Sequence, residues 1–180
     1  MACNLSSGFS LGCRDNIGGI KNLYILSGSV TSVTASSGAI SNIAGTGTFF
    51  KFELPRNVGD FTETPTPSLE NGTVFYSQVT NLAMHKLQAS IRNQVKVLVQ
   101  NPDLKIVVET NNGTDDYVGQ FFYVGRYRGS TVTGGTGATG TAMGDMNGYS
   151  LTFEAMEPYP AEEITTTGVL TDALTTITVS

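Results

Sequence analysis

The chain holds no tryptophan, one histidine (His85) and two cysteines (Cys3 and Cys13). A structural metal site takes about four ligands at close spacing, and these three residues are too few and too far apart to supply them. No cofactor is expected. Cys3 and Cys13 read as small residues of an N-terminal arm, since disulfides are rare in a reducing compartment. No apolar run approaches the roughly 20 residues that a bilayer-spanning helix needs. The start, MACNLSSGFSLGCRDN, lacks the basic start and the apolar run of a signal peptide. The expectation is synthesis in the cytoplasm and no membrane partner. Charge is also scarce, at 14% of residues against a usual level of about 25%. With a net charge of -5 and no basic run, the chain does not attract phosphates, which argues against tight nucleic-acid binding. A surface this poor in charge hints that neighbouring chains cover part of it.

Glycine, threonine, serine, valine and asparagine fill the space left by charge. That mix favours strands and turns, and 9 Phe with 7 Tyr in 180 residues suffice for one core. The expected organisation is one domain over 1–180, with an N-terminal arm at about 1–22 and a C-terminal arm at about 165–180.

NLYILSGSVTSVT reads as a strand, a turn at Ser27-Gly28 and a second strand. The next strand centres on Phe49, Phe50, Phe52 and Leu54, and Pro55 ends it. Residues 55–72 carry Pro55, Pro65 and Pro67 and read as a long connection ending in an Asn71-Gly72 turn. Phe61 and Leu69 within it are candidates to dock elsewhere. Thr73 to about Lys86 reads as a long strand. Leu87, Ile91, Val95 and Leu98 then recur at helical spacing, and Asn101-Pro102 stops the helix. LKIVVET and YVGQFFYVGRYRG form a hairpin about Asn111-Asn112-Gly113. Asn147-Gly148 opens the strand YSLTFEAMEPYP. The tail TTTGVLTDALTTITVS suits a terminal strand or an arm. The fold class expected is mainly β: an antiparallel sandwich or small barrel with one flanking α-helix.

Gly135, Gly137 and Gly140 stand at the G-x-G-x-x-G spacing of a dinucleotide-binding loop. That chemistry needs a preceding strand and a following helix whose N-terminus holds the phosphates. The sequence after it, GDMNGYSLTFEAM, is a turn and a strand, so the match is an accident of a Gly/Thr-rich loop. Asp115 and Asp116 lack the ligand alternation of a calcium loop and read as a wet hairpin tip. Glu162 and Glu163 read likewise. Neither cysteine has a base beside it, and there is no G-x-S-x-G elbow. No catalytic constellation is visible. Arg126 and Arg128 alternate with aromatic residues, which suits ion pairs between subunits or a solvated strand face.

The succession VFYSQVTNLAMHKL, SIRNQVKVLVQ, LKIVVETNNG, YVGQFFYVGRYRG and TGGTGATGTAMGDMNGYSLTFEAMEPYPAEEI resembles phage tail tube proteins. The resemblance is to those of tailed phages and prophages of Bacteroidetes-type hosts. Its most specific piece is TAMGDMNGYSLTFEAMEPYPA, in which a Gly-Asp-x-Asn-Gly-Tyr turn leads into a strand and an acidic, proline-bearing stretch. It covers about half the chain and leaves 1–45 and 165–180 unmatched. It implies a virion structural protein of the phage tail, without catalysis. Six copies would close into a ring, and rings would stack into a tube, with other tail proteins as partners. DNA would pass through transiently and without sequence preference during ejection. Phe61, Pro65, Pro67, Leu69, Arg126, Arg128, Leu170 and Ile177 are then the expected contacts between subunits or rings. Glu109, Asp115 and Asp116 are the expected lumen or hairpin-tip acids. The alternatives are another ring or decoration protein of the virion (tail terminator, neck, head decoration) and a carbohydrate-binding β-sandwich. The last would lack the tryptophan that often stacks on sugars.

Overall fold

The structure, a computed structural model, describes residues 7–10, 16–113, 119–166 and 169–180. It is mainly β, with one α-helix on its flank. The strands are β1 (Ile20–Ser36), β2 (Ala39–Glu53), β3 (Asp60–Ser68), β4 (Thr73–His85), β5 (Ile106–Thr110), β6 (Phe121–Val124), β7 (Thr131–Ala138), β8 (Gly148–Glu157), β9 (Glu162–Ile164) and β10 (Leu174–Val179). The helix α1 is Ala89–Gln100, and a 3₁₀ turn spans Leu170–Ala173.

β1, β5, β6, β9 and β2 follow one another in one sheet, and β2 pairs back onto β1 to close a barrel. β10 runs parallel to β2 beyond β9. A second, antiparallel sheet has the order β3-β4-β8-β7 and packs on the barrel's outside. Strands shared by both layers are buried on both faces, so they read as unbroken apolar runs. Along β1, Tyr24 and Leu26 point into the barrel while Leu23 and Ile25 point to the second sheet. Along β5, Val107 fills the barrel, and Ile106 and Val108 meet Leu82, Leu151 and Phe153 of the second sheet. Leu98 anchors α1 to that same inter-sheet core. Fully burying such side chains contributes about 1.5–3 kcal/mol each.

Three local expectations are corrected. Ser27-Gly28 is not a turn, because β1 runs unbroken for 17 residues. Gly28 (φ 153°) lies opposite Gly47 (φ 118°), and a Cβ on Gly47 would stand 2.2 Å from the Ser27 carbonyl oxygen. The glycine pair lets the two backbones approach within a continuing ladder. Residues 60–68 are a strand despite Pro65 and Pro67, because β3 is an edge and needs no donors on its open side. The Gly/Thr stretch 131–138 is likewise edge strand β7 rather than loop. A Cβ on Gly135 would come within 2.6 Å of the Ser150 carbonyl oxygen, so the glycine admits a close approach to β8.

The two arms also differ from expectation. The N-terminal one ends before Ile20, where β1 begins. The C-terminal stretch is built into the barrel, because β10 lies along Ile43–Phe49 of β2.

Candidate functional site

The second sheet has two unlike faces. Gln78, Thr80, Leu82, Leu151, Phe153, Ala155 and Glu157 are buried toward the barrel. The alternating residues face away from it: Ser77 and Asn81 on β4, Ser150, Thr152 and Glu154 on β8, with Asp60 and Thr62 on β3. They form a hydrogen-bonded polar surface. The Asn81 amide donates to Asp60 at 2.9 Å, the Thr152 hydroxyl to Asn81 at 2.8 Å, and the Ser77 hydroxyl to Glu154 at 3.0 Å. Asp60, Glu63, Glu154 and Glu157 lie in the four strands, and no lysine or arginine does. The outward face thus carries hydroxyls, amides and the carboxylates of Asp60 and Glu154, with Phe75, Val79 and Met156 among them; without a lysine or arginine it repels a polyanion while staying wet.

The sheet is fixed to the barrel by a buried polar network. The Gln78 amide donates to Glu63 and to the Tyr159 carbonyl, and its oxygen accepts from the Gly125 N–H. Glu157, 1% exposed, accepts from the backbone N–H of Tyr127 and of Arg128. A buried carboxylate holding backbone donors is worth more than a neutral bond, and it sets the turn that follows β6.

The strand edges differ in protection. β3 carries Asp60, Glu63, Pro65 and Pro67, which discourage strand addition. β7 and β10 carry no charge and no proline, and neither does Ser27–Ser36 of β1, which extends past its pairing with β5. Monomeric proteins normally blunt such edges.

Of the expected contact residues, Leu69 is 99% exposed at the β3–β4 turn, and Pro65 and Pro67 are exposed. Arg128 is exposed too. The others are spent within the chain. Phe61 is half-buried and stacks on Phe122 with ring centroids 6.4 Å apart. Arg126 pairs with Glu162 of its own chain and lies over the Tyr127 ring at 4.8 Å. Leu170 and Ile177 are core residues of the barrel, 3% and 6% exposed. Asp115 and Asp116 lie outside the described residues.

Glu109 is not a lumen acid. It is 4% exposed, inside one end of the barrel, where Asn22 donates at 2.6 Å, Tyr24 at 2.8 Å and Lys21 pairs at 3.0 Å. Burial alone would push its pKa up, but the hydrogen bonds from Asn22, Tyr24 and Lys21 outweigh it and hold the carboxyl below its ordinary value. Burial and the Glu109 carboxylate push Tyr24 the other way, well above an ordinary phenol. A depressed carboxyl stabilises the fold above its unfolded pKa, and that contribution is lost as pH falls through the folded value. Glu109→Gln is expected to cost about 2 kcal/mol at pH 7 and to flatten the loss of stability on the acid side. Urea titrations at pH 7 and at pH 3 check this. Equal losses at both pH values would contradict an ionised Glu109.

The glycine fingerprint is divided by the fold. Gly135 and Gly137 lie in β7, Gly140 sits in the turn beyond, and β8 follows in place of a helix. Among the described residues no three His, Cys, Asp or Glu are grouped to hold a metal, and no helix is long and apolar enough to cross a membrane. His85 is exposed at the end of β4. No protein-family model, curated protein or solved structure matches the chain.

Proposed function

We propose that the chain is a virion structural protein, the tail tube subunit of a phage, which closes into six-membered rings that stack into a conduit for DNA. Support comes from the resemblance over Val74–Pro160 and from a fold whose parts suit that role. The observation that carries the reading is the second sheet: an outward face largely of hydroxyls and amides whose charges are the acids Asp60 and Glu154, without a lysine or arginine in its strands, between two open edges. Side by side in a ring, six such sheets give a wet, negative wall along which DNA slides without adhering. Closure of the ring covers the charge-free edges, which a lone subunit would leave open.

The reading separates from its rivals by assembly. Negative-stain electron microscopy of the concentrated protein is expected to show hollow tubes with a regular ring repeat. Single rings that never stack would favour a terminator or neck protein. Monomers that bind immobilised glycans would favour a carbohydrate-binding module.

A further inference from the structure

We propose that rings stack through one knob and one groove at opposite ends of the subunit: the Leu69-Glu70 turn of one copy seats in the groove between α1 and the ends of β2 and β4 of the next. The inference rests on the tube reading and names its stacking contact.

The knob is the β3–β4 turn, just beyond the Ser68–Thr73 pair that closes the hairpin. Gly72, at φ 61°, makes the turn tight. Leu69 at its tip is 99% exposed. A full-length hairpin ladder behind the turn holds it out rigidly.

The groove has a volume of about 690 Å³ and is lined by Phe52, Pro55, Met84 and Ile91, with His85 and Lys86 at its rim. Lys51 and Glu53 also line it and hold each other at 2.9 Å. Lys86 is then the lysine that meets Glu70 of the incoming turn, so an apolar residue and an acid enter a groove whose walls are largely apolar and whose charges are Lys86 and the Lys51–Glu53 pair.

The two features lie at opposite ends of β4. Thr73 follows the turn, and His85 adjoins the groove. Thirteen residues of strand span roughly 40 Å. A knob and a groove so separated make a head-to-tail contact, which propagates instead of closing on itself. Contact between copies thus continues from ring to ring with an offset of about the length of β4.

The test is Leu69→Asp. Leu69 touches no core, so the variant is expected to melt with the wild-type protein while sedimentable polymer falls at least about tenfold. Glu70→Lys is expected to weaken stacking, and Glu70→Lys with Lys86→Glu to recover it. In a chain with Cys3→Ser and Cys13→Ser, Leu69→Cys with Ile91→Cys is expected to give a ladder of oxidised oligomers. Leu69→Cys with Ser36→Cys is expected to give none. Normal tubes from Leu69→Asp without a 69–91 ladder would overturn the contact and leave the tube reading standing. If the wild-type protein forms neither rings nor tubes, the tube reading fails. The contact is then judged by the ladder alone: its absence overturns the contact, and its selective presence supports it.

Discussion

A chain cut after Thr165 is expected to lose its cooperative fold. The deletion removes the 3₁₀ turn and β10, and with them Leu170, Ala173 and Ile177, all buried in the barrel. It also uncovers Ile43 and Phe49 of β2, both 0% exposed, and strips the ladder from Ile43 to Phe49. Loss of Leu170 and Ile177 alone costs about 3–6 kcal/mol. A domain's whole stability is about 5–15 kcal/mol. The expected readout is a collapsed near-ultraviolet circular dichroism signal and no sharp thermal transition. A truncated chain that melts within a few degrees of the full one would show that this segment is an arm after all.

Phe153→Ala is expected to carry the second largest effect. The ring is 0% exposed on β8 and sits in the layer between sheet and barrel, among residues of β1, β4 and β5. Its removal leaves a cavity that two sheets on either side cannot collapse to fill. Such truncations cost about 3–5 kcal/mol, and for a domain of this size that lowers Tm by about 10 °C. The transition is expected to stay single, because one core joins both sheets. Calorimetry decides this. Two separate transitions, or a fall of less than about 3 °C, would mean that the sheets are not held together through Phe153.

Much of this architecture was legible because its signals are local. α1 announced itself by the spacing of Ile91, Val95 and Leu98, and Asn101-Pro102 ended it. Asn71-Gly72 and Asn147-Gly148 marked the starts of β4 and β8. Other features misled because their causes are distant in sequence. Gly28 has the local signature of a turn, and only its partner Gly47 across the ladder shows why a glycine is there. Pro65 and Pro67 signal a loop unless the strand is known to be an edge. Leu170 and Ile177 have the apolar character of either an interface or a core, and only parallel pairing with β2, some 130 residues away along the chain, decides between them. Glu109 looked like a hairpin acid, whereas its partners Asn22 and Tyr24 come from 87 and 85 residues earlier. The polar face of the second sheet could have been found in the sequence. Thr62, Ser77, Asn81, Thr152 and Glu154 alternate with core residues, and the absence of lysine and arginine runs through all four strands.

The central claim is that six copies build a tube whose inner wall is that face. A helical reconstruction of assembled protein by electron cryomicroscopy tests it directly. Stacked six-membered rings are expected, with Asp60, Asn81, Thr152 and Glu154 facing the lumen and the barrel outside. A tube with the barrel inward and this face in solvent, or a protein that stays monomeric at every concentration, would contradict it.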